Sequence, residues 1–304
     1  MSDSRGASQV LRGRSFTALV NPVAGGGAAA TLWIEVADAL GHGVDVDVVD
    51  TRDAAHAVEA ARAAAEAGRV VVAVGGDGLV RDAATGVVPA GGVLAIVPAG
   101  RGNDFAHRIG LPDDPAALAA VLRDGAERRF DVIDAGGVMV PGNVYAGLDS
   151  LSSVIINRNR RLPPKLIYRL APYLALARWR VPEFRITVDG GETLVRRGHI
   201  VVIANSGRYG HGLQIVPSAE PDDGRLDVLV LSAVSRLRLG AFMRDAQVGK
   251  HAGWDAATVL TGRSVTVAAD RAVPVCADGD ELAELGDGPV GAELRPAALR
   301  LLVP

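Results

Sequence analysis

The chain has 304 residues and a formal net charge of −3, with 49% hydrophobic residues, 4% aromatic residues and 37 glycines. A chain of this length tends to fold as more than one domain, so we expect two. The negative charge excludes a protein that is basic overall, and we expect no nucleic-acid partner. A single cysteine and an N-terminus without an apolar core predict a cytoplasmic protein.

The first part of the sequence, from Ser15 to about Arg123, alternates β-branched runs with alanine-rich runs. The apolar runs SFTALVN, VDVDVVDT, RVVVAVGG and GVLAIVP are each followed by a turn and then by a run of helical composition. This alternation is typical of a parallel α/β sheet, in which the turns after the strands lie at one edge. Open α/β sheets bind ligands at that edge, so we expect a binding site there.

The composition and spacing of the apolar runs change after about Phe130. Short β-rich runs follow, separated by Gly, Asp and Pro turns. This spacing favours antiparallel strands packed as a sandwich over further βαβ units. The fold class expected is therefore α/β plus all-β, with an α/β domain over residues 1–128 and a β-sandwich domain over residues 129–292.

Three of the turns that follow strands are rich in glycine. NPVAGGG begins at Asn21, GGDG spans 75–78, and GRGND spans 100–104. Glycines let a backbone approach polyphosphate closely, and the lone carboxylate Asp77 can orient a nucleotide-bound Mg²⁺ or its waters. Arg101 can pair with phosphate oxygens. Each motif also has a simpler interpretation, a tight turn whose Asn or Asp caps the next helix.

Taken together, the three motifs resemble the diacylglycerol kinase catalytic domain family, which includes bacterial diacylglycerol kinases, sphingosine kinases and ceramide kinases. The resemblance continues with GHGLQIVPSAEPDDGRLDVLVL from Gly210 and with ADGDEL from Ala277. It implies a NAD-kinase-like nucleotide-binding domain, a β-sandwich domain for the lipid substrate, and a C-terminal segment (about 293–304) that returns to the first domain. It also implies an ATP- and Mg²⁺-dependent kinase acting on a hydroxyl of a diacylglycerol-like or sphingoid lipid.

The resemblance assigns roles to individual positions. It implies nucleotide contacts at Asn21, Thr51, Gly75, Gly76, Asp77, Gly78, Arg81, Arg101, Gly102 and Asn103. It implies a structural Mg²⁺ held by Asp223 and by the backbone carbonyl groups of Glu220 and Arg225, although a simple hairpin turn also explains that stretch. The family's proposed base lies in an Asp-Gly-Glu triplet, which here ends in Asp280. Asp280 is therefore the candidate base, and Asp77 is the candidate organiser of the nucleotide metal.

The sequence departs from the family within the same motifs. Leu79 stands where Thr is usual, Arg81 and Asp82 replace an Asn-Glu pair, and Arg101 replaces the Thr of the Gly-Thr-Gly-Asn turn. Asp280 is about 1.5 Å shorter than the usual Glu. These changes leave two alternatives open: a NAD-kinase-like phosphotransferase, because that family shares GGDG, and a nucleotide-binding protein with weak or no kinase activity.

A basic segment between Ser150 and Pro182 contains no acidic residue. Leucine recurs at every fourth position from 162 to 174, and the basic residues are Arg158, Arg160, Arg161, Lys165, Arg169, Arg178 and Arg180. The pattern predicts an amphipathic helix, kinked or interrupted at Pro172. Two positions are open for this helix. It lies on anionic lipid headgroups, or it packs on its own β domain and leaves its basic face in water. Peripheral contact with the inner face of the membrane is therefore an expectation, and a homodimer is left open.

Overall fold

The computed structural model describes residues 14–159, 162–210, 212–286 and 288–304. Two compact units make up the chain. The first contains the described residues up to Arg129 together with Ala298–Pro304, and the second is Phe130–Ala297. The expected fold class, an α/β domain followed by a β-sandwich domain, is confirmed.

The first unit alternates strands and helices around a parallel sheet. In chain order these are β1 (Phe16–Val20), α1 (Ala28–Leu40), β2 (Val46–Asp50), α2 (Ala54–Glu66), β3 (Val70–Gly75), α3 (Asp77–Val87), β4 (Val93–Pro98), α4 (Asp104–Arg108) and α5 (Pro115–Asp124). The strands lie in the order β2, β1, β3, β4, and each neighbouring pair is parallel. The end of the chain adds a further parallel strand beside β4, where Arg300 pairs with Val93.

Short-range signals explain where the helices of this unit begin. Asp53 accepts a hydrogen bond from His56 N (2.8 Å) and caps α2. Asp114 caps α5 through Ala117 N (2.9 Å), and Pro115 occupies the first helical turn, where its missing N–H is not needed. β3 is buried along its whole length, as a central strand covered on both faces should be.

The second unit is mainly antiparallel. Its elements in chain order are β5 (Ala126–Ala135), β6 (Val138–Val140), β7 (Asn143–Gly147), α6 (Leu148–Arg158), α7 (Pro164–Arg178), β8 (Glu183–Val188), β9 (Leu194–Ala204), β10 (Leu226–Ser232), α8 (Arg236–Ala246), β11 (Ala257–Gly262), β12 (Ser264–Ala269), β13 (Val273–Ala277), β14 (Asp280–Leu285) and β15 (Val290–Val303). The first residues of β5 and the last residues of β15 belong to the first unit. One sheet has the order β14, β13, β7, β9, β10, β11. The N-terminal half of β9 continues into a second layer ordered β9, β8, β12, β15.

Two apolar clusters organise this unit. The sandwich core includes Ile133, Val144, Phe184, Val228 and Val265, all of them buried. The other face of the β7, β9, β10 sheet carries a second cluster, called the outer cluster below, which includes Tyr145, Ile200, Leu229, Leu239 and Phe242. Because Leu239 and Phe242 belong to α8, the outer cluster fixes that helix on this face of the sheet.

The sequence predicts that Pro172 kinks or interrupts α7. The helix continues through Pro172, so an interruption is wrong, and a kink stays a prediction. Ile167, Ala171 and Ala175 bury one side of α7 in a small cluster that also contains Ile155 of α6. This packing holds the helix together although proline removes one backbone hydrogen bond. Arg160, Arg161 and the side chain of Lys165 lie outside the described residues. Within the described ranges, no helix is both long enough and apolar enough to cross a membrane.

Candidate functional site

The turns that follow β1 to β4 lie at one edge of the sheet, because all four strands are parallel. They carry the sequence-predicted residues Asn21, Thr51, Asp77 and Arg101, one in each turn. The N–H groups of the first turn of α3 open on the same edge, where the helix dipole favours an anion. The fold therefore brings the four glycine-containing or polar turns together, as the sequence predicts.

Close backbone contacts define the shape of this edge. A Cβ atom on Gly25 would lie 2.7 Å from the carbonyl oxygen of Ala99. A Cβ atom on Gly76 would lie 3.1 Å from the Cα atom of Gly100. The turns after β1 and β3 thus both pack against the turn after β4 through bare backbone, and side chains at these positions would push them apart.

Asp77, the first residue of α3, links two of these turns. Its Oδ2 atom accepts a hydrogen bond from Asp104 N and its Oδ1 atom accepts one from Phe105 N, each at 3.3 Å. Asp104 is itself buried. Removal from water, and secondly the negative charge of Asp104, raise the pKa of the Asp77 carboxyl above its ordinary value. Two carboxyl groups are therefore held close together at the centre of the site.

A glycine keeps the space around this carboxylate pair open. A Cβ atom on Gly102 would lie 2.9 Å from Oδ2 of Asp104 and 3.3 Å from Oδ2 of Asp77. Asn103 closes the same turn, because its Oδ1 atom accepts from Gly100 N (2.8 Å) and its backbone is left-handed (φ 52°). Asp104 is missed in the sequence, where it fits a helix cap, whereas its neighbour Asn103 is predicted to contact the nucleotide.

The side chains of Asn21 and Thr51 support the turns in which they lie. Oδ1 of Asn21 accepts from Val23 N (3.1 Å), and the Thr51 hydroxyl donates to the Val20 carbonyl oxygen (3.2 Å). Asn21 can still donate through Nδ2, and Thr51 can still accept through its hydroxyl oxygen. Both residues therefore shape the site and retain hydrogen-bonding capacity for a ligand.

Two of the departures from the family lie on the inner side of α3. Arg81 is buried and pairs with Asp82, with Nη2 2.7 Å from Oδ1. Leu79 is also buried and fills the space over Gly75, where a Cβ atom would stand 2.8 Å from its Cδ2 atom. The Arg81–Asp82 pair thus replaces the usual Asn-Glu pair as a unit, and Leu79 replaces a hydroxyl with a packing contact. Arg101, by contrast, is exposed.

In the second unit, the candidate base lies at a tight β-hairpin. β13 and β14 are joined by Asp278 and Gly279, both with positive φ (45° and 97°), which is the geometry of a type I′ turn. The Asp278 carboxylate accepts from Gly142 N (3.1 Å) and Asn143 N (2.8 Å) and so ties the hairpin to β7. Asp278 is therefore a structural residue.

Asp280 follows this turn as the first residue of β14 and is half-buried. Asn157 of α6 donates to the Gly279 carbonyl oxygen (2.9 Å), and its Nδ2 atom lies 3.5 Å from Oδ1 of Asp280. The next residue, Glu281, is exposed, and its Oε2 atom lies 3.5 Å from Nη2 of Arg158. Consecutive residues of a strand face opposite sides of the sheet, so Asp280 and Glu281 cannot exchange roles without a shift in register.

Residues 220–225, which the sequence predicts to hold a structural cation, lie in a turn before β10. Asp223 is exposed and its Oδ1 atom accepts from Arg225 N (3.0 Å). The neighbouring Gly224 N donates to the buried Asp131 carboxylate (2.7 Å). The described part of the chain has no group of three or more His, Cys, Asp or Glu residues suited to a metal ion. A cation here would depend on backbone carbonyl groups, as the prediction with Glu220 and Arg225 requires.

Asp149 is a titratable residue that sequence reasoning missed. It lies in the first turn of α6, where Oδ1 accepts from Ser150 N (2.8 Å) and Oδ2 accepts from the Tyr209 hydroxyl (3.0 Å). Removal of the carboxyl group from water raises its pKa to about 6. The Tyr209 ring stacks on Tyr145, with 5.1 Å between centroids. Nothing in the sequence around Asp149 distinguishes it from an ordinary helix-start aspartate.

Comparison with known families gives two matches that together span most of the chain. Residues 15–135 match the diacylglycerol kinase catalytic domain. Residues 142–303 match the YegS C-terminal NAD kinase beta sandwich-like domain. The two matched segments follow each other in the order in which the α/β and β-sandwich units occur.

Relatives of the chain carry consistent names. A diacylglycerol kinase of Mycobacterium tuberculosis (strain ATCC 25618 / H37Rv) is 35% identical over 298 residues, which is 95% of this chain and 94% of the relative. The crystal structure of a diacylglycerol kinase from Bacillus anthracis str. Sterne superposes with a TM-score of 0.75 at 22% identity, covering 96% of this chain and 97% of the other. The first similarity concerns the family, and the second concerns the fold alone.

Proposed function

The chain belongs to the diacylglycerol kinase family of ATP-dependent lipid kinases, and on this basis we propose that it transfers the γ-phosphoryl group of ATP to a hydroxyl of a diacylglycerol-like or sphingoid lipid. The observation that carries the proposal is the pairing of Asp77 with Asp104 beneath turns of bare glycine backbone. Polyphosphate needs backbone N–H groups at close range, and a divalent cation needs carboxylate oxygens beside them.

The nucleotide site is formed by the turns after β1 to β4. The N–H groups of Gly76, Asp77 and Gly78 begin α3 and offer donors to phosphate oxygens. Nδ2 of Asn21 and the hydroxyl oxygen of Thr51 offer further polar contacts. Arg101 adds a permanent positive charge on the exposed side of the turn after β4, which favours a triphosphate over a diphosphate.

The carboxylates of Asp77 and Asp104 fit a Mg²⁺ ion bound with the nucleotide. Their mutual repulsion, which helps to raise the pKa of Asp77, would be relieved by a divalent cation between or near them. Such an ion neutralises charge on the β- and γ-phosphates in phosphoryl transfer. The chain's own contribution is to hold the Asp77 carboxylate in place through Asp104 N and Phe105 N.

Asp280 is the proposed general base. The lipid hydroxyl oxygen attacks the γ-phosphorus, its proton passes to Asp280, and the bond from phosphorus to the β,γ-bridging oxygen breaks as ADP leaves. The half-buried position of Asp280 beside Asn157 supports this role. Asp278, anchored to β7, sets the turn that presents Asp280.

A structural cation at the turn before β10 is also part of the proposal. The Asp223 carboxylate and the carbonyl oxygens of Glu220 and Arg225 supply hard oxygen ligands, and Mg²⁺ commonly keeps several waters besides. Asp131 restrains the same turn through Gly224 N. The ion would therefore strengthen a turn that is already held by a buried carboxylate.

The same kinase needs access to a lipid surface, and α7 supplies apolar side chains for it. Leu166, Leu170 and Leu174 of α7 are exposed, as is Leu162 just before the helix, and Tyr173 is 72% exposed. A contiguous exposed apolar stripe is uncommon on a monomeric protein and marks an interaction surface. The basic composition of the segment suits an anionic bilayer, so we include peripheral membrane contact through α7 in the proposed function.

A transfer assay with radiolabelled ATP tests the proposal. Diacylglycerol, sphingosine and NAD serve as competing acceptors for the wild type, for Asp77→Asn and for the exposed control Asp113→Asn. We expect label in a lipid for the wild type and the control, and its loss in Asp77→Asn. Label in NAD would support a NAD-kinase-like phosphotransferase, and ATP binding without any labelled acceptor would support a protein without turnover. Either of these results would contradict the proposal.

A further inference from the structure

α8 is a second basic helix of the β-sandwich unit, and its orientation is fixed by its buried side. Leu239, Phe242 and Ala246 are buried in the outer cluster, at the spacing of one helical face. The Phe242 ring meets the rings of His251 and Trp254 edge to face, at 4.9 Å and 5.8 Å between centroids. The helix therefore cannot rotate to hide its opposite side.

One large apolar side chain occupies that opposite side, and another lies in the turn that follows the helix. Leu237 is 89% exposed, and Val248, in the turn after the helix, is 60% exposed. Leu237 and Arg244 are seven residues apart within α8, which places them on one line along the helix axis, and Val248 lies in the turn that follows the helix. Met243, also exposed, lies about 100° around the helix from Arg244, toward the buried side. The outer side of α8 thus presents apolar groups that the folded chain leaves in water.

The charge around these groups is mainly positive, although Asp255 directly follows the segment 233–254. Residues 233–254 contain Arg236, Arg238, Arg244 and Lys250 against a single acidic residue, Asp245. Oδ2 of Asp245 accepts a hydrogen bond from Trp254 Nε1 (3.0 Å), so this carboxylate is held at the Trp254 side of the helix. The Arg238 guanidinium lies over the Trp254 ring at 5.0 Å. Arg236 and Arg244 are exposed beside Leu237 and Val248.

A hydrogen-bonded histidine joins α8 to α7. Trp179, at the end of α7, donates through Nε1 to Nδ1 of His199 (3.0 Å), and Nε2 of His199 donates to the Val234 carbonyl oxygen (2.9 Å) just before α8. Burial lowers the pKa of His199 and favours the neutral ring that makes both bonds. Leu176 of α7 also packs on the outer cluster that holds α8. The C-terminal end of α7 and the start of α8 are therefore neighbours on one face of the sheet.

We propose that the exposed side of α8 and the turn after it (Arg236, Leu237, Arg244 and Val248) dock on an anionic lipid bilayer, as a second contact beside α7. The inference rests on the proposed function, which brings the protein to a lipid surface. Apolar side chains flanked by long basic ones are the composition of helices that lie in a membrane interface, with the charged ends reaching the headgroups. Two contacts on one face would fix the orientation of the sandwich on the bilayer, which one helix alone cannot do.

Vesicle sedimentation tests the proposal on the full chain. The vesicles contain phosphatidylglycerol and phosphatidylcholine, or phosphatidylcholine alone. We expect the neutralising double variant Arg236→Gln/Arg244→Gln to bind anionic vesicles about 30-fold more weakly than wild type. We expect Leu237→Ser/Val248→Ser to weaken binding by roughly tenfold or more. The matched controls Ile34→Ser, at a side chain that is 60% exposed on α1, and Arg62→Glu on α2 should bind like wild type.

A second measurement does not depend on the stability of these variants. A polarity-sensitive fluorophore on Leu237→Cys should shift to shorter wavelength with anionic vesicles, whereas the same label on Ile34→Cys should not; the native Cys276 is buried and does not react. An unshifted Leu237 label, wild-type binding by both α8 variants, or no binding by the wild type would overturn the proposal. Vesicle binding that depends on α8 without phosphorylation of any lipid would support the docking surface and overturn the proposed function instead.

Discussion

The backbone of Gly100 lies so close to that of Gly76 that a Cβ atom on Gly100 would overlap the Cα atom of Gly76. This contact joins the turns after β3 and β4, which carry Asp77 and Asp104. We therefore expect Gly100→Ala to separate the two turns, to lower the free energy of unfolding by about 1 to 3 kcal/mol and to weaken ATP binding. Calorimetric titration with ATP and urea unfolding measure the two effects.

The control for this prediction is Gly291→Ala. Nothing lies within 4 Å of a Cβ atom built on Gly291, and its backbone is not left-handed. It should leave ATP binding unchanged. Equal ATP affinity for Gly100→Ala and wild type would show that the glycine contact has no part in the nucleotide site.

The carboxylate pair should make nucleotide binding depend on magnesium and on pH. Because the pKa of Asp77 is raised, the site takes up a proton more readily without a cation, and a bound cation must displace that proton. Affinity for Mg²⁺-ATP should therefore fall as the pH is lowered toward the pKa of Asp77.

Asp104→Asn removes the second charge of the pair and should both lower the pKa of Asp77 and weaken Mg²⁺-ATP binding by about 10- to 100-fold. Titrations at several pH values measure both effects, with Asp113→Asn as the exposed control. A Mg²⁺-ATP affinity unaffected by Asp104→Asn would remove this residue from the metal site.

The two aspartates of the β13–β14 hairpin should separate into one structural and one catalytic residue. Asp278→Ala removes the acceptor for Gly142 N and Asn143 N and should lower the free energy of unfolding by about 1 to 3 kcal/mol. Asp280→Asn should leave stability unchanged and lower kcat by about 10² to 10⁴-fold, with ATP affinity retained.

Asp280→Glu provides the conservative rescue for the second variant, because it keeps a carboxylate at the position where the family has Glu. Urea unfolding and steady-state kinetics separate the two roles. If Asp280→Asn kept the kcat of the wild type, a different group would have to accept the lipid proton.

Asp149 should make the stability of the protein fall as the pH rises from about 4 to about 6. Its folded-state pKa of about 6 lies above the ordinary value of 3.8, so the folded protein retains this proton while the unfolded chain has lost it. The stability conferred by the proton is complete below the unfolded value and is lost as the pH passes the folded one. The expected loss is on the order of 1 to 2 kcal/mol for this half-buried group.

Asp149→Asn keeps an acceptor for the Tyr209 hydroxyl but has no carboxyl group to titrate. The stability of the variant relative to wild type should therefore be higher at pH 7 than at pH 4. Urea unfolding at both pH values gives the difference. A difference between variant and wild type that does not change with pH would contradict the shifted titration.

The sequence predicts the architecture because the relevant signals are local. Apolar runs followed by glycine turns specify parallel strands, and parallel strands bring Asn21, Thr51, Asp77 and Arg101 to one edge. Asp104 is not predicted as a site residue, because its position in the sequence fits a helix cap. Its contact with Asp77 joins turns that are 27 residues apart, and no local pattern indicates it.

Two other features depend on tertiary packing and so could not be read from the sequence. The burial of the Arg81–Asp82 pair depends on how α3 packs, although the sequence suggests a phosphate contact for Arg81. Pro172 in the sequence suggests a helix break. Ile167 and Ala171 pack α7 against α6, and the helix continues past Pro172. Local pattern predicts elements and motifs, and packing between elements decides which polar groups meet.

The most direct test of the account is phosphoryl transfer to a defined lipid. Wild type, Asp77→Asn and Asp280→Asn are each incubated with γ-labelled ATP, Mg²⁺ and vesicles containing diacylglycerol, and phosphatidic acid and ADP are both measured. We predict equal amounts of phosphatidic acid and ADP from the wild type, with both products reduced at least about 100-fold in the two variants. ADP formed without phosphatidic acid, or undiminished phosphatidic acid from Asp77→Asn, would contradict the account.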